Sequence, residues 1–442
     1  MEATKRSGWI VIGCLFGLLL VVCMAGGIGW LGLRYVSGRN IAPVVENNDS
    51  MTMVNRIVFV STEGRIATIA PDGRDMRLLT ASNDLFYLFP AWSPDGQKLA
   101  AIGGNHDGGG VYLLTDSPDQ APQPLYTSPD QSPFYLYWSP DGRQVSFLAN
   151  HSSDGIGLHL ALADGSRESL LATGQPVYWD WAANSQQLLL HAGRDNGPAR
   201  LAFFDLTTET VGENISQPGF FQAPVISHDN RYLAFAEVDE AEQRWLVIRN
   251  QESGESQREP HLGAVALGWS PTTHWLAYIS PAGDDPHLFE APYGPLRLLE
   301  AETGQSQPVT DKMVLAFFWS PNGEYLAYLT LATGAEEINA FRPESTYSKR
   351  VHQEPVRLNL WLFTLADKST RRLLTFVPST LFATQFLPFF DQYALSHALW
   401  SPASDALVLP TVSDEANEIV VISVNGVIRP VAEGSVAFWS RN

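Results

Sequence analysis

Short apolar runs, broken by polar positions and bounded by turn residues, recur along most of the chain. The stretch FPAWSPDGQKLAAIGG, residues 89 to 104, shows the unit: an apolar strand ending at Trp92, a Ser-Pro-Asp-Gly turn, and a second apolar run. Alternation over so few residues, punctuated in this way, predicts antiparallel strands rather than helices. Pro94 presets one backbone angle of the turn and Gly96 supplies the unusual one. GVYLLT and QPLYT follow as third and fourth strands. The unit returns as YLYWSPDGRQVSFLAN from Tyr135, ALGWSPTTHWLAYIS from Ala266 and AFFWSPNGEYLAYLT from Ala316. Looser copies start at Tyr178, Ala223 and His397, and a last fragment, VAFWS, runs from Val436 to Ser440.

The motif positions are 92, 138, 181, 226, 269, 319, 400 and 439, separated by 46, 43, 45, 43, 50, 81 and 39 residues. Self-similarity at this period marks a repeat architecture, and four short strands per repeat describe one blade of a β-propeller. A single blade cannot bury both of its faces, so blades stack around a ring. Residues 56–80 read as a blade without its first strand, and VAFWS as a first strand without its blade. Joined, they give an all-β ring of eight four-stranded blades closed by the N- and C-terminal strands. Seven is the alternative if the Ile226 unit or the last one is not a blade. The 81-residue step reads as one blade with two insertions, 332–355 and 378–397. Trp92, Trp138, Trp181, Trp269, Trp319, Trp400 and Trp439 are then structural: each indole packs between neighbouring blades, while the turn Asp or Asn accepts hydrogen bonds locally.

Gly8 to Leu33 carries no charge, and Trp9 and Trp30 lie about 31 Å apart at the helical rise, matching a bilayer core with an aromatic residue at each interface. The expectation is a tail at 1–7, a transmembrane helix at 8–33, a linker at 34–55 and the propeller at 56–442. A cleaved signal peptide, or a lipoprotein acylated at Cys14, are the alternatives. Lys5 and Arg6 before the span balance Arg34 and Arg39 after it, so charge leaves orientation open.

The formal charge of −19 excludes a nucleic-acid binder, which needs a basic footprint. Both cysteines, Cys14 and Cys23, precede the repeats, so the repeats hold no disulfide and no thiol chemistry. There is no G-x-S-x-G, H-E-x-x-H, phosphate loop or dinucleotide fingerprint. No catalytic residue, metal ligand or cofactor is assigned. The connections between second and third strands place Asp107, Asp154, Asp195, Asp239, Asp284 and Asp285 on one face, without the ligand spacing of a calcium loop.

The recurring WSPDGQKLAAI, WSPDGRQVSFL and WSPNGEYLAYL, with IAPDGRDMRLLT, resemble the TolB-like, WD-type propeller repeats of bacterial exported proteins. The resemblance covers roughly residues 56 to 440. It implies the propeller fold and, with the cysteine-free repeats, a domain outside the cytoplasm, hence a single-pass protein of the cytoplasmic membrane. The family's type protein has six blades and an added α/β domain, so its role does not transfer. Related propellers precede the hydrolase domain of prolyl-oligopeptidase-type peptidases. With the ring closing near Asn442, no such domain is expected. The insertion at 378–397 carries Phe382, Phe386, Phe389, Phe390 and Tyr393, which either cap the ring or form a partner-binding surface. The functional expectation is a membrane-anchored, non-catalytic scaffold binding an unknown protein or polymer at the cell envelope. The alternative is a hydrolase or lyase acting on envelope or extracellular polymers.

Overall fold

In the repeat around Trp92 the apolar alternation resolves into four antiparallel strands, Phe86–Trp92, Lys98–Asn105, Gly108–Thr115 and Gln123–Ser128, hydrogen-bonded in that order. The computed structural model describes residues 55–80, 85–151, 155–194, 197–281, 291–332, 355–414 and 416–441. Contacts divide the chain into residues 1–50 and 51–442, and all described residues belong to the second unit. The pattern repeats in sheets that open with Pro133–Trp138, Val177–Trp181 and Val225–Ile226, each with four strands. Strands Ile57–Val60, Ile66–Ile69 and Arg77–Leu78 form a further sheet. Its fourth strand is Val436–Trp439, paired antiparallel so that Ile57 faces Trp439 and Val60 faces Val436.

Two sheets depart from the simple pattern. Ser306–Trp319 runs unbroken for fourteen residues, pairing through its first part with Gly294–Glu300 and through its second with Tyr325–Leu331. It closes one four-strand unit and opens the next, giving a sheet of seven strands. The cause is local: after Pro308 the stretch VTDKMVLAFFW contains no Gly or Pro to turn the chain. The last sheet has three strands, Ala406–Ser413, Ala416–Ser423 and Ile428–Glu433, and Trp400 reaches it by a single bridge to Leu407.

Neighbouring repeats are joined by a repeated bond. The indole N–H of Trp138 donates to the Ala91 carbonyl at 3.0 Å, Trp269 to Val225 at 3.2 Å, Trp319 to Gly268 at 3.0 Å and Trp400 to Phe318 at 3.0 Å. Each acceptor precedes the motif position of the previous repeat. Trp181 reaches the corresponding carbonyl, that of Tyr137, through the Ser146 hydroxyl, with links of 3.1 and 2.8 Å. Ile226 has no indole, and there the link runs from its backbone N–H to the Asp180 carboxylate at 2.8 Å. Trp439 donates to Asn55, whereas the Trp92 N–H is buried without an acceptor among the described residues.

Trp92, Trp138, Trp181, Trp400 and Trp439 are buried; Trp269 and Trp319 are half-buried. Burying an indole removes roughly 200 Å² from water, on the order of 5 kcal/mol, against about 1 kcal/mol net for its hydrogen bond. Packing therefore holds the sheets together, and the bond fixes how they are aligned. Within the turns, the Ser93 hydroxyl donates to Asp95 at 2.6 Å and accepts the Lys98 N–H at 2.9 Å, while Gly96 takes φ +68°.

The expectation of a single-pass membrane protein is corrected. Among the described residues no helix is long and apolar enough to cross a membrane, and the α-helix that is described there has seven residues. Residues 8–33, on which the span was placed, lie outside the described residues.

Replacing Trp138 by Phe should cost about 1 kcal/mol more than replacing Trp92 by Phe, measured by equilibrium denaturation, because only Trp138 loses an acceptor along with its packing. Equal costs would show that the indole bond contributes nothing.

Candidate functional site

The first strands of the sheets face a helical segment inserted before the last sheet. It consists of a π turn, Phe382–Phe386, a 3-10 turn, Leu387–Phe389, and the α-helix α1, Phe390–Ser396. Pro388, with no N–H to donate, sits in the 3-10 turn between the other two. Phe382, Phe386, Phe390 and Tyr393 follow one another at helical spacing, so their rings share a side. Phe386 lies 4.8 Å from Phe382, 5.7 Å from Phe438 and 6.0 Å from Phe318, ring centre to ring centre. Phe390 lies 5.2 Å from Phe317, and Tyr393 lies 4.9 Å from Phe89 and 5.0 Å from Tyr135. The segment thus fills the space that the inner strands share.

Of the two readings of those aromatics, a cap or a partner-binding surface, the second does not fit their burial. Phe382 and Phe386 are 0% exposed, Phe390 1% and Tyr393 3%, and Phe389 is half-buried. The inner strands offer apolar partners on several sides, so the rings turn inward. The companion insertion at 332–355 lies outside the described residues between 333 and 354.

The polar groups of the segment are spent on the strands around it. Gln392 accepts the Trp179 backbone N–H at 3.1 Å and donates to the Trp179 carbonyl and the Tyr135 hydroxyl, both at 3.0 Å. One amide thereby completes the inner edge of Val177–Trp181, which would otherwise present bare N–H and C=O groups. Asp391 accepts the backbone N–H of Ala223 at 3.3 Å and of Gln392 at 2.9 Å. Gln222 donates to the Pro388 carbonyl at 3.2 Å, and Arg441 donates to the Leu395 carbonyl.

Two carboxyls are shut in at this core. Burial pushes Asp391 up to about 7, against the opposing N–H bonds of Ala223 and Gln392. Burial likewise pushes Asp180 up to about 7, against bonds from the Ile226 N–H, the Tyr137 hydroxyl and the Trp181 N–H. Ser396 Oγ lies 2.6 Å from Nδ1 of His397, while Nε2 of His397 meets the Phe89 carbonyl at 3.2 Å. Burial pulls the imidazole down to about 3. A general base works best near the operating pH, and burial moves this histidine away from that range.

Where the helix ends, a cavity of about 190 Å³ opens, lined by Trp92, Pro94, Tyr137, Trp138, Pro140, Ser396 and Arg441. The sequence reading missed it, along with Asp180, Asp391, Gln392 and Arg441. The spacing of Phe382, Phe386, Phe390 and Tyr393 was the available sign that the insertion is helical with one apolar side. Of the acidic loop residues, Asp239 is satisfied by its own turn, accepting from the Ala241 and Gln243 N–H groups and the Trp245 indole. Asp154, Asp195, Asp284 and Asp285 lie outside the described residues.

The fold is a β-propeller, with TolB and other propeller proteins among its structural neighbours. The chain is similar to the dihydro-heme d1 dehydrogenase NirN, at 14% identity, over 91% of this chain and 78% of that one, with a TM-score of 0.56. It is similar to a prolyl endopeptidase at 12% identity, over 80% of this chain and 50% of that one, with a TM-score of 0.53. TolB from Acinetobacter baumannii matches at 16% identity over 58% of this chain and 66% of that one, with a TM-score of 0.37. No family model matches the sequence, and no curated protein matches it.

Asp391 has a pH signature. Its carboxyl is held neutral in the fold up to about 7 but ionises near 3.8 when exposed. Its contribution is therefore fully present below 3.8, falls by at most about 1.4 kcal/mol per pH unit as pH rises towards 7, and is flat above. Denaturation of wild type and Asp391→Asn across pH 4 to 9 should show wild type losing stability relative to the variant up to about pH 7 and no further change beyond. A pH-independent difference would contradict the burial argument.

Proposed function

We propose that eight blades close into one ring, and that this ring is a non-catalytic scaffold. Its partner is a protein that inserts a carboxylate-bearing side chain into the cavity at the end of the axis. The count takes Ser306–Trp319 as the last strand of one blade and the first of the next, and Trp400 as the opening of the last blade. The pairing of Val436–Trp439 with Ile57–Val60 and the chain of indole bonds support closure.

The observation that carries the binding role is the size and lining of the cavity. At about 190 Å³ it is smaller than the roughly 300–1,000 Å³ of small-molecule sites. It has room for one side chain rather than for a substrate. Its walls are the rings of Trp92, Pro94, Tyr137, Trp138 and Pro140, with the Arg441 guanidinium at hand. That composition suits an apolar contact with one carboxylate, fixed by a charge-assisted bond. A hydrolase or lyase would need an open base, and Asp180, Asp391 and His397 are buried and bonded to structural groups.

A photo-crosslinking residue at Pro140 should capture one saturable partner, and Arg441→Glu, assayed well below its own melting midpoint because it also loses the bond to the Leu395 carbonyl, should abolish capture. The same probe at Val427, 63% exposed in the turn before Ile428–Glu433 and not part of the cavity lining, should not capture it. Equal capture from both sites, capture indifferent to Arg441→Glu, or labelling of Ser396 by a fluorophosphonate would each overturn the proposal.

A further inference from the structure

Among the described residues, two consecutive motif turns bring three metal-type donors together. His228 and Asp229 occupy the turn after Ile226, and His274 follows the turn after Trp269. One ligand atom from each lies within 4.8 Å of the other two. The His274 ring is fixed on both edges: Nδ1 stands 3.2 Å from the Glu302 carboxylate and Nε2 stands 2.9 Å from Oδ2 of Asp229. Tyr232 packs edge-on against it at 4.9 Å, and the His228 ring stacks on it at 5.5 Å. Asp229 is oriented as well, since its other oxygen accepts the Ser227 hydroxyl at 2.7 Å and the Arg231 N–H at 3.0 Å. Only Oδ2 is left for the cluster.

An imidazole facing a carboxylate oxygen from each nitrogen cannot be satisfied while neutral. One nitrogen carries the proton, and the other sets its lone pair against an anionic oxygen. Two species relieve this: a second proton, making an ion pair, or a metal ion shared by Nε2 and Oδ2. The ion pair needs nothing from His228. The metal uses it as a third donor, and uses Glu302 as the carboxylate that orients a ligating histidine. Arg231 pairs with Glu302 at 3.0 Å, which compensates that outer charge.

We propose that His228, Asp229 and His274 bind one divalent transition-metal ion of the zinc class, clamping two adjacent blades, with Glu302 as the positioning residue for His274. Two imidazoles and one carboxylate suit zinc rather than calcium or magnesium, which prefer oxygen donors. His228 and Asp229 are exposed, so the ion can enter from solvent and complete its coordination with water.

The test titrates Zn²⁺ into the tag-free, chelator-stripped full chain by calorimetry and follows thermal melting with and without the ion. One equivalent should bind and raise the melting midpoint, because a ligand that binds the folded form stabilises it. His228→Ala and His274→Ala should lose both effects, and Glu302→Gln should weaken binding by about 10- to 100-fold. His228 is on the surface, so its variant should melt like wild type in chelator. Binding unchanged in His228→Ala would put the ion elsewhere, and no saturable binding to wild type would leave only an ion pair. Either result overturns the assignment.

Discussion

Every sheet in this protein is too thin to be stable alone, and the interaction that solves this is the indole laid between one sheet and the next. Its area supplies most of the energy, and its N–H, donated to a carbonyl of the preceding repeat, sets the alignment. Where the series changes, the same junction is bridged by other means: a serine relay at Trp181, and a buried carboxylate in place of the absent indole at Ile226. The second of these is costly, because Asp180 must stay out of water. Its three hydrogen-bond donors offset part of that cost.

The constraint that sheets meet around a shared centre raises the question of what fills it. Here the chain fills it with its own insertion. The rings of Phe386, Phe390 and Tyr393 contact strands from several sheets, and Gln392 and Asp391 occupy backbone groups that the inner strands leave open. In the proposed ring, a centre occupied in this way would leave the faces to carry the proposed recognition. Both the proposed partner cavity and the proposed metal clamp belong to the turn side of the motif, where sequence variation in Ser-Pro-Asp-Gly changes chemistry without disturbing the strands. His228 stands where most other repeats have Pro, and His274 stands at the position of Gln97, Arg143 and Arg231.

Much of the fold was legible because it is local and periodic. The strand at Phe86–Trp92, its turn, and the pairing of Val436–Trp439 with residues near the start of the repeats all follow from apolar alternation and from counting strands. The unbroken strand Ser306–Trp319 was not anticipated, since the missing turn residue is informative only once both neighbours are known. The aromatics at 378–397 were visible as composition, but their direction depends on five ring partners scattered over the chain, from Phe89 to Phe438. The histidine cluster joins residues 45 positions apart, a separation that no short motif describes. The anchor read from residues 8–33 concerned a segment outside the described residues and is withdrawn.

The proposed circular arrangement rests on the tail strand seated beside Ile57–Val60. Its most direct test is thermal unfolding of the chain truncated after Ser435. The account predicts a much lower midpoint and a broadened transition, since two sheets lose a covered face and Phe386 and His397 lose Phe438. A truncated protein that melts at the wild-type midpoint with undiminished cooperativity would contradict it.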